Sequence, residues 1–217
     1  MAEIYGGRLS VGGTPTTLTN AATTGTGLGP YQITDSTKRV IDPGTGVVIK
    51  DNGSTVPLSN LASFNYLFGE VTFASGHAPT GPVTISGKYI PLVQVLYSAS
   101  VDAKIGRQKY DATRLSDDFI RSVAGKVEIE AVLKTTEPFI TDIGDGRTLT
   151  DLLNEKTPVL VDVGFDSTDT HALRFWGIVA GDASLDLKPA DIQRGTLTFA
   201  GQPQETQEGM VILYSWR

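Results

Sequence analysis

The chain has 217 residues, enough for one large domain or two small ones with a real core. At 40% hydrophobic and 19% charged, with 24 Gly and 11 Pro, it is composed as a turn-rich β protein, which excludes coiled coil, collagen and helical bundle. A net charge of -6 excludes a protein whose main task is to grip nucleic acid, and the absence of Cys excludes disulfides, thiolate metal sites and thiol catalysis. No apolar run approaches the roughly 18 to 20 residues needed to cross a bilayer. The start MAEIYGGRLS has neither the basic nor the apolar region of a signal peptide. The expectation is a soluble protein made in a cytoplasm, without membrane contact.

Between Leu9 and Thr34 there is no charged residue, and Thr, Gly, Ala and Pro dominate. Such a stretch offers little apolar surface to offset its ordering entropy. Residues 1–34 therefore read as an extended N-terminal arm that orders only against a neighbour, leaving a single β-rich domain over 35–217. Residues 38–42 (KRVID) and 46–50 (GVVIK) flank Pro43-Gly44-Thr45 as a hairpin, and Asp51-Asn52-Gly53 makes a second reversal. Leu61, Phe64 and Phe68 fall at helical spacing, which suggests one short helical turn. Residues 71–73, 83–89 and 92–104 read as strands, with Val83, Ile85 and Gly87 alternating against Thr84, Ser86 and Lys88. Without evident edge-protecting charges, 83–89 is expected to be an exposed edge that invites pairing.

The cleanest strand is 125–134 (GKVEIEAVLK). Val127, Ile129, Ala131 and Leu133 take one face, and Lys126, Glu128, Glu130 and Lys134 the other. Thr148 and Asp151 stand at capping-box spacing before Leu149, Leu152 and Leu153, and Pro158 follows, so 148–156 reads as the one helix. Further strands are expected at 159–165, 172–180, 193–200 and 210–216. The fold class that results is mainly β: an antiparallel β-sandwich or partly closed barrel with one flanking α-helix.

Catalytic chemistry finds little support. His77 and His171 are the only histidines, and neither has a second ligand at metal-binding spacing. The run 81–88 (GPVTISGK) misses phosphate-loop spacing, with Tyr89 where a hydroxyl should reach magnesium. Gly25, Gly27 and Gly29 lack a third fingerprint glycine and any βαβ unit. Glu128 and Glu130 share a strand face, but Lys126 and Lys134 beside them favour a solvated surface or pore wall over an acid/base pair. Asp117, Asp118, Asp142 and Asp145 read as cap and turn residues off calcium-loop spacing, and Asn52-Gly53-Ser54 as a turn. The expectation is a protein that is not an enzyme and holds no cofactor or metal.

From Tyr31 onward the sequence resembles the major tail tube proteins of long-tailed bacteriophages. The resemblance is carried by YQITDSTKRVIDPGTGVVIKDNG, NYLFGEVTF and GPVTISGKYIPL, then by the helix and Pro-led strand over 148–165, the Trp-containing strand over 175–180 and the Thr-Phe-x-Gly strand over 198–201. It implies subunits whose sheets join into a larger barrel on oligomerisation, as hexameric rings stacked into a hollow tube of the virion tail that conducts DNA during ejection. The partners implied are further copies of the chain, a tape-measure protein, tail terminator or tip proteins, and DNA in passage without being gripped. On this basis Lys126, Glu128, Glu130 and Lys134 are candidate lumen-facing residues. Arg107, Lys109, Asp111, Arg114, Asp117 and Asp118 are candidate inter-ring contacts. The alternative is a β-sandwich adhesin or carbohydrate- or receptor-binding module of a virion or cell surface.

Overall fold

Alternation of apolar and polar side chains, punctuated by Gly and Asn turns, drives nearly every described segment into antiparallel strands. The computed structural model describes residues 8–95, 98–111, 122–135, 146–154, 158–164, 172–179, 184–186, 194–206, 211–212 and 214–216. Strand β1 (Arg8–Gly12) precedes β2 (Thr16–Thr24), β3 (Tyr31–Ile33), β4 (Val48–Asp51), β5 (Ser54–Thr55), β6 (Leu61–Asn65), β7 (Glu70–Phe73) and β8 (Val83–Tyr89). Then come β9 (Leu92–Gln94), β10 (Ser98–Asp111), β11 (Ser122–Thr135), helix α1 (Leu149–Asn154), β12 (Val159–Gly164) and β13 (Ala172–Val179). The chain continues through β14 (Ser184–Asp186), β15 (Arg194–Gly201), β16 (Gln204–Glu205), β17 (Val211–Ile212) and β18 (Tyr214–Trp216).

Two large sheets result. Sheet 1 runs β10-β11-β15-β13-β12-β1-β9, with β14 added to β15 and β18 to β13. Sheet 2 runs β5-β4-β8-β2-β3-β7-β6. One of the sheets curls into a half-barrel, and the fold is mainly β with a single α-helix among the described residues. Sheet 1 buries Leu9, Val11, Ile129, Leu133, Phe175 and Phe199 on one face, and Leu152 of α1 joins that core. The helix is capped as its sequence requires: the Thr148 N–H donates to Asp151 Oδ2 at 2.7 Å and the Asp151 N–H donates to Thr148 Oγ1 at 3.2 Å. Residues 155–157 lie outside the described residues.

Several expectations are corrected. Residues 8–33 are not an arm; they supply β1, β2 and β3, and Leu9 and Val11 are fully buried. β1 lies inside sheet 1 between β12 and β9, so both ladders give its backbone partners within the chain. Absence of charge there marks an interior strand. The 38–42/46–50 hairpin does not pair with itself. Asp42 reverses the chain by accepting from the Gly44 N–H at 3.0 Å and the Thr45 hydroxyl at 2.6 Å. Both flanks then fall on β8, Ile41 bridging Tyr89 and Ile49 opposite Ile85. Strand β8 is consequently interior, held between β4 and β2, and not an edge. The reversal at 51–53 does form a tight hairpin, with Asn52 at φ 48° and Gly53 at φ 82°, as a primed turn requires. Leu61 and Phe64 belong to β6, not to a helix. A register shift between Leu61 and Ser63 turns residues three apart onto the same core, mimicking a helical period.

Sheet 2 is built wholly from the continuous stretch 16–89, inserted between β1 and β9, which pair with each other in sheet 1. The Gly13 N–H donates to the Pro91 carbonyl at 2.8 Å where the stretch leaves and returns. At Gly12 a Cβ would meet Ile90 Cγ2 and Leu160 Cβ at 2.8 Å, so this crossing needs glycine. Beside it Val40, Leu67, Phe68 and Ile90 of the inserted stretch pack on Leu160 and Trp176 of sheet 1. Within that contact Arg174, 3% exposed, donates to Asp162 Oδ1 at 2.6 Å and to the Leu67 carbonyl at 2.8 Å. Its guanidinium also lies 4.6 Å from the centroid of the Phe68 ring. The C-terminal strands add a strap: Ile212 packs against sheet 2, Ser215 accepts from the Asn65 amide at 3.1 Å, and β18 returns to β13.

At the other end of sheet 2, Asp51 pins the loop before β8. It accepts from the Thr80 N–H and the Gly81 N–H, both at 2.8 Å, and from the Thr80 hydroxyl at 3.0 Å. These donors, the Thr80 N–H first, hold its carboxyl below the ordinary 3.8. A depressed pKa gives stabilisation that is complete above the ordinary value and lost as pH falls through the folded one. In NMR the Asp51 carboxyl is expected to titrate below pH 3.8, and Asp51→Ala to speed amide exchange at Thr80 and Gly81. Unchanged exchange would contradict the staple. For the sheet junction, Arg174→Met is expected to lower the unfolding free energy by about 3–5 kcal/mol, since it strands a buried carboxylate. Denaturant melts should show Asp162→Leu added to Arg174→Met restoring much of that loss.

Candidate assembly surface

The period-two rule separates β11 into two faces, and the structure keeps them apart: Ile129, Ala131 and Leu133 are buried, while Lys126, Glu128 and Lys134 are exposed and Glu130 half-buried. Pairing with β10 widens the wet face. Lys104 stands opposite Glu130 and Gly106 opposite Glu128. Lys134 Nζ lies 3.7 Å from Asp102 Oδ2, an exposed pair that contributes little to stability. The surface therefore carries three acids, Asp102, Glu128 and Glu130, and three bases, Lys104, Lys126 and Lys134, for a net charge of zero. Through β15 the same face continues as Thr196, Thr198 and Ala200, and on the next two strands, β13 and β12, it becomes the Arg174, Trp176 and Leu160 contact with sheet 2. One side of sheet 1 is thus covered at one end and wet at the other.

Strand β10 is 14 residues long and pairs on one side only among the described residues, with β11. β11 in turn meets β15 only over Glu130–Thr135, so residues 122–129 carry a two-stranded ribbon beyond the sheet. At about 3.3 Å per residue the extension is roughly 25 Å. Apolar cover fades along it: Val101 is 6% exposed, Ile105 44%. The opposite edge of sheet 1, β9, is only three residues long. Arg107, Lys109 and Asp111 lie on β10 inside this ribbon. Arg114, Asp117 and Asp118 lie outside the described residues, as do His171, Asp142 and Asp145. His77 is exposed in the loop between β7 and β8, far in sequence from any of these.

Asp102, Lys104 and Ile105 were not singled out by sequence, because only pairing places them. The available signal was the alternation of Val101, Ala103 and Ile105 against Asp102 and Lys104, which copies that of β11. No cluster of three or more His, Cys, Asp or Glu side chains that could hold a metal ion occurs among the described residues, and none of their helices is long and apolar enough to cross a membrane. No family model matches the chain, and no curated protein matches it.

A balanced face gives a polyanion no continuous cationic track. Glu128→Lys with Glu130→Lys would convert it to one carrying five bases and one acid. Glu128 is exposed and Glu130 half-buried opposite Lys104, so the double variant is expected to lose no more than about 1–2 kcal/mol of stability. It should gain an affinity for duplex DNA that weakens as salt is raised, measured by fluorescence anisotropy. No gain at low salt would remove any role for these carboxylates in repelling phosphate.

Proposed function

We propose that the chain is a structural subunit of a phage tail: copies join edge to edge into hexameric rings, and the rings stack into a hollow tube through which DNA passes. The 14-residue strand β10, which among the described residues forms a ladder on one side only and runs with β11 past the neighbouring strand, carries this reading. A free two-stranded ribbon is marginally stable in water, and an unpaired edge is a template for another strand. Head-to-tail contact between unlike edges closes into a ring when the rotation per copy allows. Joined copies then present the charge-balanced face of Lys126, Glu128, Glu130 and Lys134 to the lumen. The ribbon holding Arg107, Lys109 and Asp111 reaches the next ring. A tape-measure protein in the lumen and terminator or tip proteins at the ends complete the assembly, in the virion tail.

Ile105 lies on this edge, where its exposure leaves little to lose on substitution in the free subunit. Electron microscopy of the purified protein is expected to show rings or tubes. Ile105→Asp should abolish them while leaving thermal unfolding of the subunit within a few degrees of the parent. Monodisperse monomers of the parent chain at high concentration, at any salt, would overturn the proposal.

A further inference from the structure

We infer that the inserted sheet carries a binding cleft for a neutral carbohydrate at its tip, a site separate from the edge that joins copies. The cleft is a hollow of about 420 Å³ between the β4–β5 turn, residues 57–60 and the loop 74–80. Topology puts it away from sheet 1. β8 starts beside the cleft, with Val83 opposite Asp51, and ends at the Gly13–Pro91 clasp; its seven residues span about 20 Å. Loops at the far end of a rigid sheet are where binding groups are most readily presented.

The lining chooses the ligand class. It contains no Lys or Arg, unlike the smaller clefts beside Lys38 and beside Arg8. Its one carboxylate, Asp51, already takes three donors from Thr80 and Gly81, so it shapes the wall rather than meeting a guest. Phosphate, sulfate and carboxylate ligands find no counter-charge there, and a cation finds only a carboxylate that is already engaged. The hollow is lined by Asn52, Ser54, Thr55 and His77, all exposed, whose side chains carry an amide, two hydroxyls and an imidazole. These are paired donors and acceptors of the kind that hydroxyl-rich ligands satisfy. Pro57 and Val56 supply apolar wall for the C–H face of a sugar, and Leu58, 48% exposed, stands next to them. The stretch 14–90 holds four bases and four acids, so no net field from it draws charged competitors.

Immobilised neutral, sialylated and sulfated oligosaccharides offered to the purified chain test this, with calorimetric titration of whichever neutral glycan is retained. Neutral glycans are expected to be retained. Asn52→Asp, which keeps the turn conformation but removes two donors, and His77→Ala should each weaken binding about tenfold. Lys38→Ala, in a different cleft, should leave it unchanged. Retention of no neutral glycan at millimolar concentration, retention of the acidic glycans alone, or binding indifferent to both cleft variants would overturn the inference. Ring formation is scored separately on the same preparation. Tubes without glycan binding defeat the cleft alone, and glycan-binding monomers defeat the tube alone.

Discussion

The relation between the two sheets rests on the Arg174 guanidinium. Arg174 and Asp162 are register partners on adjacent strands, so the ion pair is assembled within sheet 1. Its remaining reach goes to the Leu67 carbonyl and the Phe68 ring of sheet 2. The apolar contact around it, Leu160 and Trp176 against Val40, Leu67, Phe68 and Ile90, is non-directional and would tolerate sliding. A fully desolvated charge does not tolerate it, because any shift that loses the Leu67 carbonyl leaves donors buried and unpaired. Asp162 Oδ2 is itself buried without a donor among the described residues, so the pair is not optimised for stability. Fixing one docking geometry accounts for its retention better than added stability does.

That geometry also accounts for how a sheet of seven strands can be inserted between two paired neighbours. β1 and β9 are adjacent whether or not the intervening residues form a sheet, so the order of sheet 1 does not depend on sheet 2. What the insertion adds to sheet 1 is cover for Leu160, Trp176 and Arg174, on the face that is wet farther along. The C-terminal strap adds to the same contact through Ile212 and ties β6 to β18 through Ser215. Two clasps and one buried charge hold the sheets together at one end of the inserted sheet; among the described residues its tip and the outer edge of β10 take no part in that contact.

Faces were legible in the sequence and neighbours were not. Alternation in 83–89 and 125–134 sorted the side chains correctly, since a period of two is a local property of an extended backbone. It could not say that β8 sits between β4 and β2 while β10, among the described residues, has a ladder on one side only, because pairing joins residues far apart in the chain. The uncharged stretch from Leu9 to Thr34 misled for the same reason. Low charge signals either a mobile segment or an interior strand, and only the partners decide. Thr16, Thr17, Thr19, Thr23 and Thr24 supply β-branched residues that suit a sheet, and Thr23 donates to the Val83 carbonyl at 2.8 Å across the ladder. At Leu61 and Phe64 a bulge counterfeited a helical period, which no local pattern distinguishes from a real one. Of the candidate surface, Lys126, Glu128, Glu130 and Lys134 were legible as one face, whereas Asp102 and Lys104 joined them only through β10.

An open edge as long as β10 is a hazard unless its pairing is conditional. Register shifts at Ser98/Ser100 and Arg107/Lys109 break the edge into shorter regular lengths and increase its twist, so a flat, arbitrary strand does not fit along it. Asp102 and Lys104 alternate with the apolar positions, which penalises a partner whose charges are misplaced. The net charge of -6 keeps free copies apart at long range, yet the six charged residues of the β10–β11 face sum to zero, so that repulsion originates elsewhere in the chain. Copies approaching through this face therefore meet less resistance than copies approaching through any acidic surface. Long-range repulsion with a locally charge-balanced face favours one mode of contact over the many that an unpaired strand would otherwise allow.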